Sequence, residues 1–228
     1  MPKTKGVPVE LSAAVQDYAK AIYALESREG SASTTALAER LGVRPASVSG
    51  MLRKLDALGL VVHEPYHGVR LTTSGRKVAL EVLRHHRLLE LYLAENLGLG
   101  WDEVHAEAEV LEHVLSEELE ETIATKLGDP TLDPHGDPIP TRELDVADVE
   151  SRSAYALEPG EKGTFIRVSD SDPEMLRFLE ARGIAPGASF ELLEKQPFDG
   201  PVSMRFGNAV QVLGATLARA MRVTAARS

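Results

Sequence analysis

Residues 34–60 read TTALAERLGVRPASVSGMLRKLDALGL, and this stretch decides the fold of the first part of the chain. Thr34 or Thr35 is predicted to cap a short helix, which Gly42 ends. A second helix is predicted to begin at Pro45, because proline is tolerated in the first turn of a helix. Two short helices joined by a glycine-containing turn predict a helix-turn-helix unit.

The residues that follow extend this unit into a winged helix. Leu60–His63 and Val69–Thr72 are predicted as two short strands around a turn at His67-Gly68. In a winged helix-turn-helix the second helix lies in the major groove of DNA. The sequence therefore predicts a DNA-binding unit, and a plain helical hairpin with solvated charges is the alternative.

The start of the second helix carries the residue types that such docking needs. Small and polar side chains there can approach base edges, whereas basic side chains suit phosphates and set affinity rather than sequence choice. The expected DNA contacts are Arg44, Pro45, Ala46, Ser47, Ser49, Gly50, Arg53 and Lys54.

Charge is distributed unevenly along the chain. The 228 residues carry 25 basic and 35 acidic side chains, a formal net charge of −10, which taken whole argues against a nucleic-acid ligand. Residues 44–87, however, hold eight basic and only three acidic side chains, whereas residues 102–121 hold nine acidic side chains and no Lys or Arg. Because local charge decides binding, the basic segment favours DNA and the acidic one favours cations.

Composition excludes several classes of protein. The chain is 43% hydrophobic, so it can bury cores, and it contains no cysteine, which excludes disulfides and thiolate metal sites. No apolar run reaches the length of about 20 residues that a membrane span needs. We expect a cytoplasmic protein with no membrane association.

A second pattern indicates a metal site. Trp101–Leu127 is predicted as one long helix, on which Glu109, Glu112 and His113 share an arc of about 100° with His105. On the preceding predicted helix, His86 and Glu90 lie four residues apart and share a face. Carboxylates with imidazole suit a first-row divalent ion such as Mn(II) or Fe(II). The alternative is a solvated acidic face with incidental histidines.

An enzyme is the less favoured interpretation of the same segment. Helices of inverted zinc peptidases carry His-x-x-Glu-His, in which both histidines bind zinc. Glu109 stands here where the first of those histidines would be, so we expect no catalytic residues.

These motifs, in this order, resemble the iron- and manganese-dependent transcriptional repressors, the DtxR/MntR-like regulators. The resemblance is strong over residues 12–142 and weaker over 160–225. It is carried by DYAKAIYAL (17–25), VRPASVSGMLRKLDALGLV (43–61), LTTSGRKVA (71–79), HHRLLELYL (85–93), EVLEHVLSEELEE (109–121) and DPHGDPIP (133–140).

The resemblance implies a mainly α-helical fold with a small β domain. We expect a winged-helix DNA-binding domain over residues 1–76, a helical metal-binding and dimerisation domain over 77–143, a linker over 144–159, and an SH3-like (FeoA-like) β-barrel over 160–228. Along the long helix Trp101–Leu127 an apolar stripe would supply the dimer contact; it comprises Val104, Ala108, Leu111, Leu115, Leu119 and Ile123.

The resemblance also implies two metal sites. The main site would use Asp17, Glu109, Glu112 and His113, and the ancillary site His86, Glu90 and His105, with Asp172 or Glu174 of the SH3-like domain completing it. Iron-type members resemble this set but carry Met and Cys in place of Asp17 and Glu109, so the oxygen-rich set favours manganese. Lys20 stands where short manganese-type members carry a second Glu, which disfavours a close binuclear site.

The sequence thus predicts a homodimeric repressor of metal-homeostasis genes that binds a palindromic DNA operator when activated by Mn(II), with Fe(II) as the second candidate ion. Three alternatives remain: a metal-sensing or metal-buffering module without a specific operator, a metallohydrolase, and a winged-helix regulator that responds to a small molecule.

Overall fold

The computed structural model describes residues 11–64, 68–147, 149–169 and 172–225. The chain divides into two compact units, residues 1–83 and 84–228. Each unit is described by itself below.

The first unit is a three-helix cluster with a two-stranded wing. Its elements are α1 (Ala13–Glu29), α2 (Thr34–Leu41), α3 (Pro45–Ala57), β1 (Val61–Glu64), β2 (Gly68–Leu71) and the first part of α4 (Thr73–Tyr92). Its core buries Ile22, Leu37 and Leu55 completely. Ser33, rather than Thr34 or Thr35, caps α2, because its hydroxyl oxygen accepts a hydrogen bond from the Ala36 amide. The predicted start at Pro45 is confirmed.

The wing pairs β1 with β2 in antiparallel register, with Val61 opposite Leu71. Most of the predicted turn lies outside the described residues, including His67. Gly68 has a φ of 99°, and a Cβ there would lie 2.3 Å from the Ala32 carbonyl oxygen, so a side chain is excluded where the wing meets the helices.

The second unit begins with three helical segments. The remainder of α4 is followed by a π-helical turn at Leu93–Leu97, then by α5 (Trp101–Leu111) and α6 (Glu117–Lys126). The prediction of one continuous helix over Trp101–Leu127 is therefore wrong. The apolar stripe has the same period on both sides of the break, and for this reason periodicity did not reveal it.

Hydrogen bonds to α4 and a cap explain the interruption. The His85 Nδ1–H donates to the Glu112 carbonyl at 3.1 Å, and its Nε2 lies 2.9 Å from a Glu120 carboxylate oxygen. Because Glu112 directly follows the last residue of α5 and Glu120 lies in the first turn of α6, one imidazole contacts both sides of the break. Ser116 then caps α6 by accepting a hydrogen bond from the Leu119 amide.

The rest of the second unit is a small β domain. Its elements are β3 (Arg152–Ser153), a 3-10 turn (Ala154–Ala156), β4 (Lys162–Arg167), α7 (Pro173–Glu180), β5 (Ser189–Lys195), β6 (Val202–Phe206), β7 (Ala209–Leu213), α8 (Ala215–Ala220) and β8 (Arg222–Ala225). The strands form one six-stranded sheet in the order β3-β8-β4-β5-β6-β7. Phe165, Leu192 and Met204 are fully buried in its core.

The sheet begins earlier in the chain than the sequence predicted. Residues 152–157 were expected within a linker, but Arg152 pairs with Val223, and Ala154 and Leu157 are fully buried in the core. The polar and acidic composition just before Arg152 concealed these two apolar residues. In the described part of the chain, no helix is long and apolar enough to cross a membrane.

Candidate metal centre and DNA-binding face

Helix α3 has one apolar face and one polar face. Val48, Leu52 and Leu55 are buried in the core of the first unit. The predicted DNA contacts lie on the other face: Arg44, Pro45, Ala46, Ser47, Ser49, Arg53 and Lys54 are exposed, and Gly50 is half-buried. The residues proposed to approach DNA are therefore accessible from solvent.

Two histidines and a glutamate meet inside the second unit. The Nε2 of His86 lies 2.9 Å from a Glu90 carboxylate oxygen, and the Nδ1 of His105 lies 3.1 Å from the same atom. The two ring nitrogens are themselves 3.1 Å apart. Glu109, one turn after His105 on α5, places a carboxylate oxygen 3.9 Å from its Nε2. The structure thus brings together the three residues predicted for the ancillary site.

Glu112 connects this cluster to the residues predicted for the main site. Its side chain is only 1% exposed, and one carboxylate oxygen lies 2.5 Å from His86 Nδ1. The other lies 3.6 Å from His113 Nε2. Each nitrogen of the His86 ring therefore faces a buried carboxylate.

Electrostatics keep the central carboxylate ionised. Burial alone would raise the pKa of Glu90, but the nearby rings of His86, His105 and His135 lower this pKa below its ordinary value. A buried anion among imidazoles is an arrangement that a divalent cation would stabilise further, because the ion replaces protons as the positive partner.

The remaining predicted ligands lie on other elements of the chain. Asp17 belongs to the second turn of α1, in the first unit. Asp172 caps α7, because its side chain accepts hydrogen bonds from the amides of Glu174 and Met175. Within the described ranges, neither Asp172 nor Glu174 belongs to a cluster of candidate ligands. The assignment of these two residues to the ancillary site is left without geometric support.

A second set of buried polar residues, Asp133 and His135, was not predicted as part of any site. The segment DPHGDPIP folds against the far side of Glu90, where His135 is 1% and Asp133 7% exposed. One Asp133 oxygen accepts hydrogen bonds from the amides of His135 and Asp137, both at 2.9 Å. Burial raises the pKa of Asp133 well above its ordinary value, and the neighbouring charges of Asp137 and Glu90 raise it further.

This segment also joins the helices to the β domain. The His135 carbonyl accepts a hydrogen bond from the Val168 amide at 3.1 Å. Gly136 has a φ of 87°, and a Cβ there would lie 1.9 Å from the Ile166 carbonyl oxygen. Arg167 donates to Asp137 at 3.0 Å. The available signal in the sequence was a histidine between two aspartates, Asp133 and Asp137, in one short segment.

Comparison with known proteins matches three domains along the chain. Residues 10–69 match the iron-dependent repressor N-terminal DNA-binding domain, and residues 72–141 match the iron-dependent repressor metal-binding and dimerisation domain. Residues 154–225 match the FeoA domain.

Individual relatives agree with these matches. The diphtheria toxin repressor of Corynebacterium efficiens is 30% identical over 222 residues, which cover 90% of this chain and 93% of that protein. The iron-dependent repressor IdeR of Mycobacterium leprae is 40% identical over 123 residues. That match spans only about half of each protein, 54% of this chain and 54% of IdeR.

Solved structures give the same result. A manganese-dependent transcriptional repressor in complex with manganese superposes with a TM-score of 0.85 at 43% identity, covering 93% of this chain and all of that one. A T. acidophilum IdeR structure, 28% identical and covering 92% of this chain and 97% of that one, superposes with a TM-score of 0.75. The order of the three domains, the buried histidine–carboxylate cluster and these similarities show that the chain belongs to the family of iron- and manganese-dependent transcriptional repressors.

Proposed function

We propose that this protein is a metal-activated, dimeric transcriptional repressor that binds a palindromic operator and controls metal-homeostasis genes. Mn(II) is the proposed activating ion, and Fe(II) is the second candidate. The observation that carries the proposal is the cluster of buried His86, Glu90 and Glu112 with half-buried His105, in a chain that also presents an exposed basic helix, α3.

The donor set supports a divalent first-row ion. Around His86 and Glu112 the candidate ligand atoms are imidazole nitrogens and carboxylate oxygens, and no thiolate is available because the chain contains no cysteine. Hard oxygen donors suit Mn(II) better than a thiolate-containing set would, although affinity order alone does not favour Mn(II) over Fe(II). The main site is proposed to comprise Asp17, Glu109, Glu112 and His113.

An exposed apolar face supports dimerisation. A groove in the second unit is lined by residues of α4, α5, α6 and the segments that connect them, among them Leu93, Leu115 and Ile123. Of its lining residues, Leu97, Val114 and Leu119 are 61%, 77% and 50% exposed. A contiguous apolar surface of this kind marks an interaction site, and a second copy of the chain is the proposed partner.

Metal would act by shifting a population of conformations. In this proposal Asp17, Glu109, Glu112 and His113 would be the ligands of the ion, which would supply the positive charge between the three carboxylates. Metal binding would then favour a spacing of the two winged helices of a dimer that fits two major grooves. Without metal, other arrangements that cannot dock both helices would be populated.

The proposal is tested by titrating Mn(II) into the dimer and a labelled operator selected from random duplexes. His113→Ala should abolish metal-stimulated binding, because the main site loses its nitrogen ligand, while circular dichroism and dimer mass stay unchanged. His63→Gln, on the exposed edge of β1, is the matched control and should respond as wild type does. If His113→Ala keeps metal-dependent binding, the assignment of the main site is wrong.

A further inference from the structure

Arg84, His85 and Glu120 form a buried polar group that has no role in either proposed metal site. The Arg84 Nε lies 2.5 Å from one Glu120 carboxylate oxygen, and these two side chains are 13% and 10% exposed. The Nε2 of His85, a residue that is 7% exposed, lies 2.9 Å from the other oxygen. Arg84 and His85 each make one further contact, which these pairs with Glu120 would not require.

Both further contacts end on backbone carbonyl groups. Arg84 Nη1 donates to the Pro140 carbonyl at 2.7 Å, and the His85 Nδ1–H donates to the Glu112 carbonyl at 3.1 Å. Burial alone would raise the pKa of Glu120, but the hydrogen bonds from His85 and Arg84 lower this pKa below its ordinary value, so the ionised carboxylate accepts from both side chains. A chain of hydrogen bonds thus connects Pro140, the last residue of the segment DPHGDPIP, with Glu112.

The Glu112 carbonyl needs a side-chain donor because the helix stops beside it. In a continuous helix the amide of Ser116, four residues later, would bond to this oxygen. Ser116 is instead the N-cap of α6 and has an extended backbone, with φ −82° and ψ 150°. Glu112 is buried, and a buried carbonyl without a donor is destabilising. His85 supplies the donor that the interrupted helix no longer provides.

This carbonyl lies between two proposed metal ligands. Its oxygen belongs to the planar peptide group that joins Glu112 to His113, so a hydrogen bond to the oxygen restricts the plane that the two residues share. Glu112 is held a second time through its side chain, because one carboxylate oxygen lies 2.5 Å from His86 Nδ1. Two consecutive histidines of α4 thus hold the backbone and the side chain of one proposed ligand.

We propose that His85 is a positioning residue for the main metal site: it holds the peptide between Glu112 and His113 in the orientation that lets both side chains bind one ion. This role rests on the proposed function, because it takes Glu112 and His113 as ligands. His85 does not bind the ion itself, since one ring nitrogen contacts the Glu112 carbonyl and the other contacts Glu120. Residues that orient a metal ligand in this way contribute about 10- to 100-fold to metal affinity.

His85→Asn and His85→Gln separate the two hydrogen bonds of the ring. The amide nitrogen of an Asn side chain lies near the position of Nδ1 and can donate to the Glu112 carbonyl, whereas that of Gln lies near Nε2 and can donate only to Glu120. MnCl2 is titrated into metal-free full-length wild type and both variants, and free Mn(II) is measured by electron paramagnetic resonance. We expect at least tenfold weaker binding of one ion in His85→Gln, and affinity close to that of wild type in His85→Asn.

Two further measurements separate positioning from packing. Each variant loses one hydrogen bond of the ring, so denaturant unfolding of the metal-free protein should show a similar loss of stability in both. The absorption spectrum of bound Co(II) reports the ligand geometry, and we expect it to change in His85→Gln and to match wild type in His85→Asn. His63→Gln, at an exposed position of β1, is the matched control and should behave as wild type in every measurement.

Wild-type Mn(II) affinity and an unchanged Co(II) spectrum in folded His85→Gln would overturn the proposal. Equal losses of affinity in His85→Asn and His85→Gln would also overturn it and leave His85 as a packing residue. If His85→Gln does not fold, His85→Leu carries the same test, because Leu fills the space without a donor and the same loss of affinity is expected.

Operator binding of wild type in chelator and in Mn(II) is measured in parallel. A wild type that does not respond to Mn(II) would contradict the proposed function. A responsive wild type with an unaffected His85→Gln would contradict only the role of His85.

Discussion

Glu112→Gln should raise the Mn(II) concentration needed for operator binding without unfolding the protein. The side chain is 1% exposed and lies between two imidazoles, 2.5 Å from His86 Nδ1 and 3.6 Å from His113 Nε2. Gln has the same shape and keeps a carbonyl oxygen, so packing is preserved. What the substitution removes is one negative charge that both proposed metal sites would use.

The size of the effect follows from these two contacts. Loss of a carboxylate that holds a ligating histidine weakens metal binding by about 10- to 100-fold. Glu112 is such a partner of His86, so a loss of this size is expected at the proposed ancillary site. At the main site Glu112 is itself a proposed ligand, so the loss there should be at least as large. We therefore expect the Mn(II) midpoint to rise by about 100-fold or more, equivalent to about 2.8 kcal/mol.

The assay is fluorescence anisotropy of the selected operator in metal-buffered solution, with circular dichroism and dimer mass measured on the same samples. Glu118→Gln is the matched control, since Glu118 is exposed on α6 and should leave the midpoint unchanged. An unchanged midpoint in a folded Glu112→Gln dimer would refute the role given to this carboxylate. An equal shift of the Mn(II) midpoint in Glu118→Gln would show that the loss of net negative charge, rather than the position of the carboxylate, causes the effect.

Three further changes test other parts of the account. Arg53→Ala should weaken binding to all duplexes and lower the salt slope by about one, whereas changes at Ser47 should alter base preference, as salt-dependent binding to a set of duplexes will show. Asp17→Met with Glu109→Cys softens the main site, so anaerobic titrations should show weaker activation by Mn(II) relative to Fe(II) or Co(II). Gly136→Ala should cost about 1–3 kcal/mol of unfolding free energy, measured by denaturant unfolding, because its Cβ would lie 1.9 Å from the Ile166 carbonyl oxygen.

Each of these has an outcome that would contradict it. Wild-type affinity of Arg53→Ala at every salt concentration would exclude the docking of α3. An unchanged metal preference in the double variant would mean that Asp17 and Glu109 do not set selectivity. Gly183→Ala is the control for Gly136→Ala: its φ is 62° but no atom lies within 4 Å of the added Cβ, so it should cost less.

The local signals that predicted the fold correctly are those that act over a few residues. Pro45 fixed the start of α3, and the glycine after α2 fixed its end, because both effects depend on backbone conformation alone. The spacing of His86 and Glu90 likewise placed two ligands on one face of α4. These predictions needed no tertiary information.

The errors arise where tertiary contacts override local pattern. The break after Leu111 depends on His85, which is distant in sequence from both Glu112 and Glu120. The helical spacing of the apolar residues continues across the break, so this spacing alone does not predict it. The interruption depends instead on the tertiary contact with His85. Arg152 similarly becomes a strand residue by pairing with Val223, at the opposite end of the β domain.

The candidate site shows the same division. The family resemblance implied that His105 lies near His86. Nothing in the sequence placed His135, because the proline-rich segment has no period from which a face is deduced. Its position behind Glu90 depends on the Asp133 turn and on the bond between its carbonyl and the Val168 amide.

The most direct test of the central claim is the dissociation constant of the wild-type dimer for its selected operator, measured in chelator and at saturating Mn(II) at one salt concentration. Metal-dependent repression predicts at least about 100-fold tighter binding with Mn(II), the upper range of coupling between two sites. Mg(II) at the same concentration should not reproduce this increase. Equal dissociation constants in chelator and in Mn(II) would contradict the account.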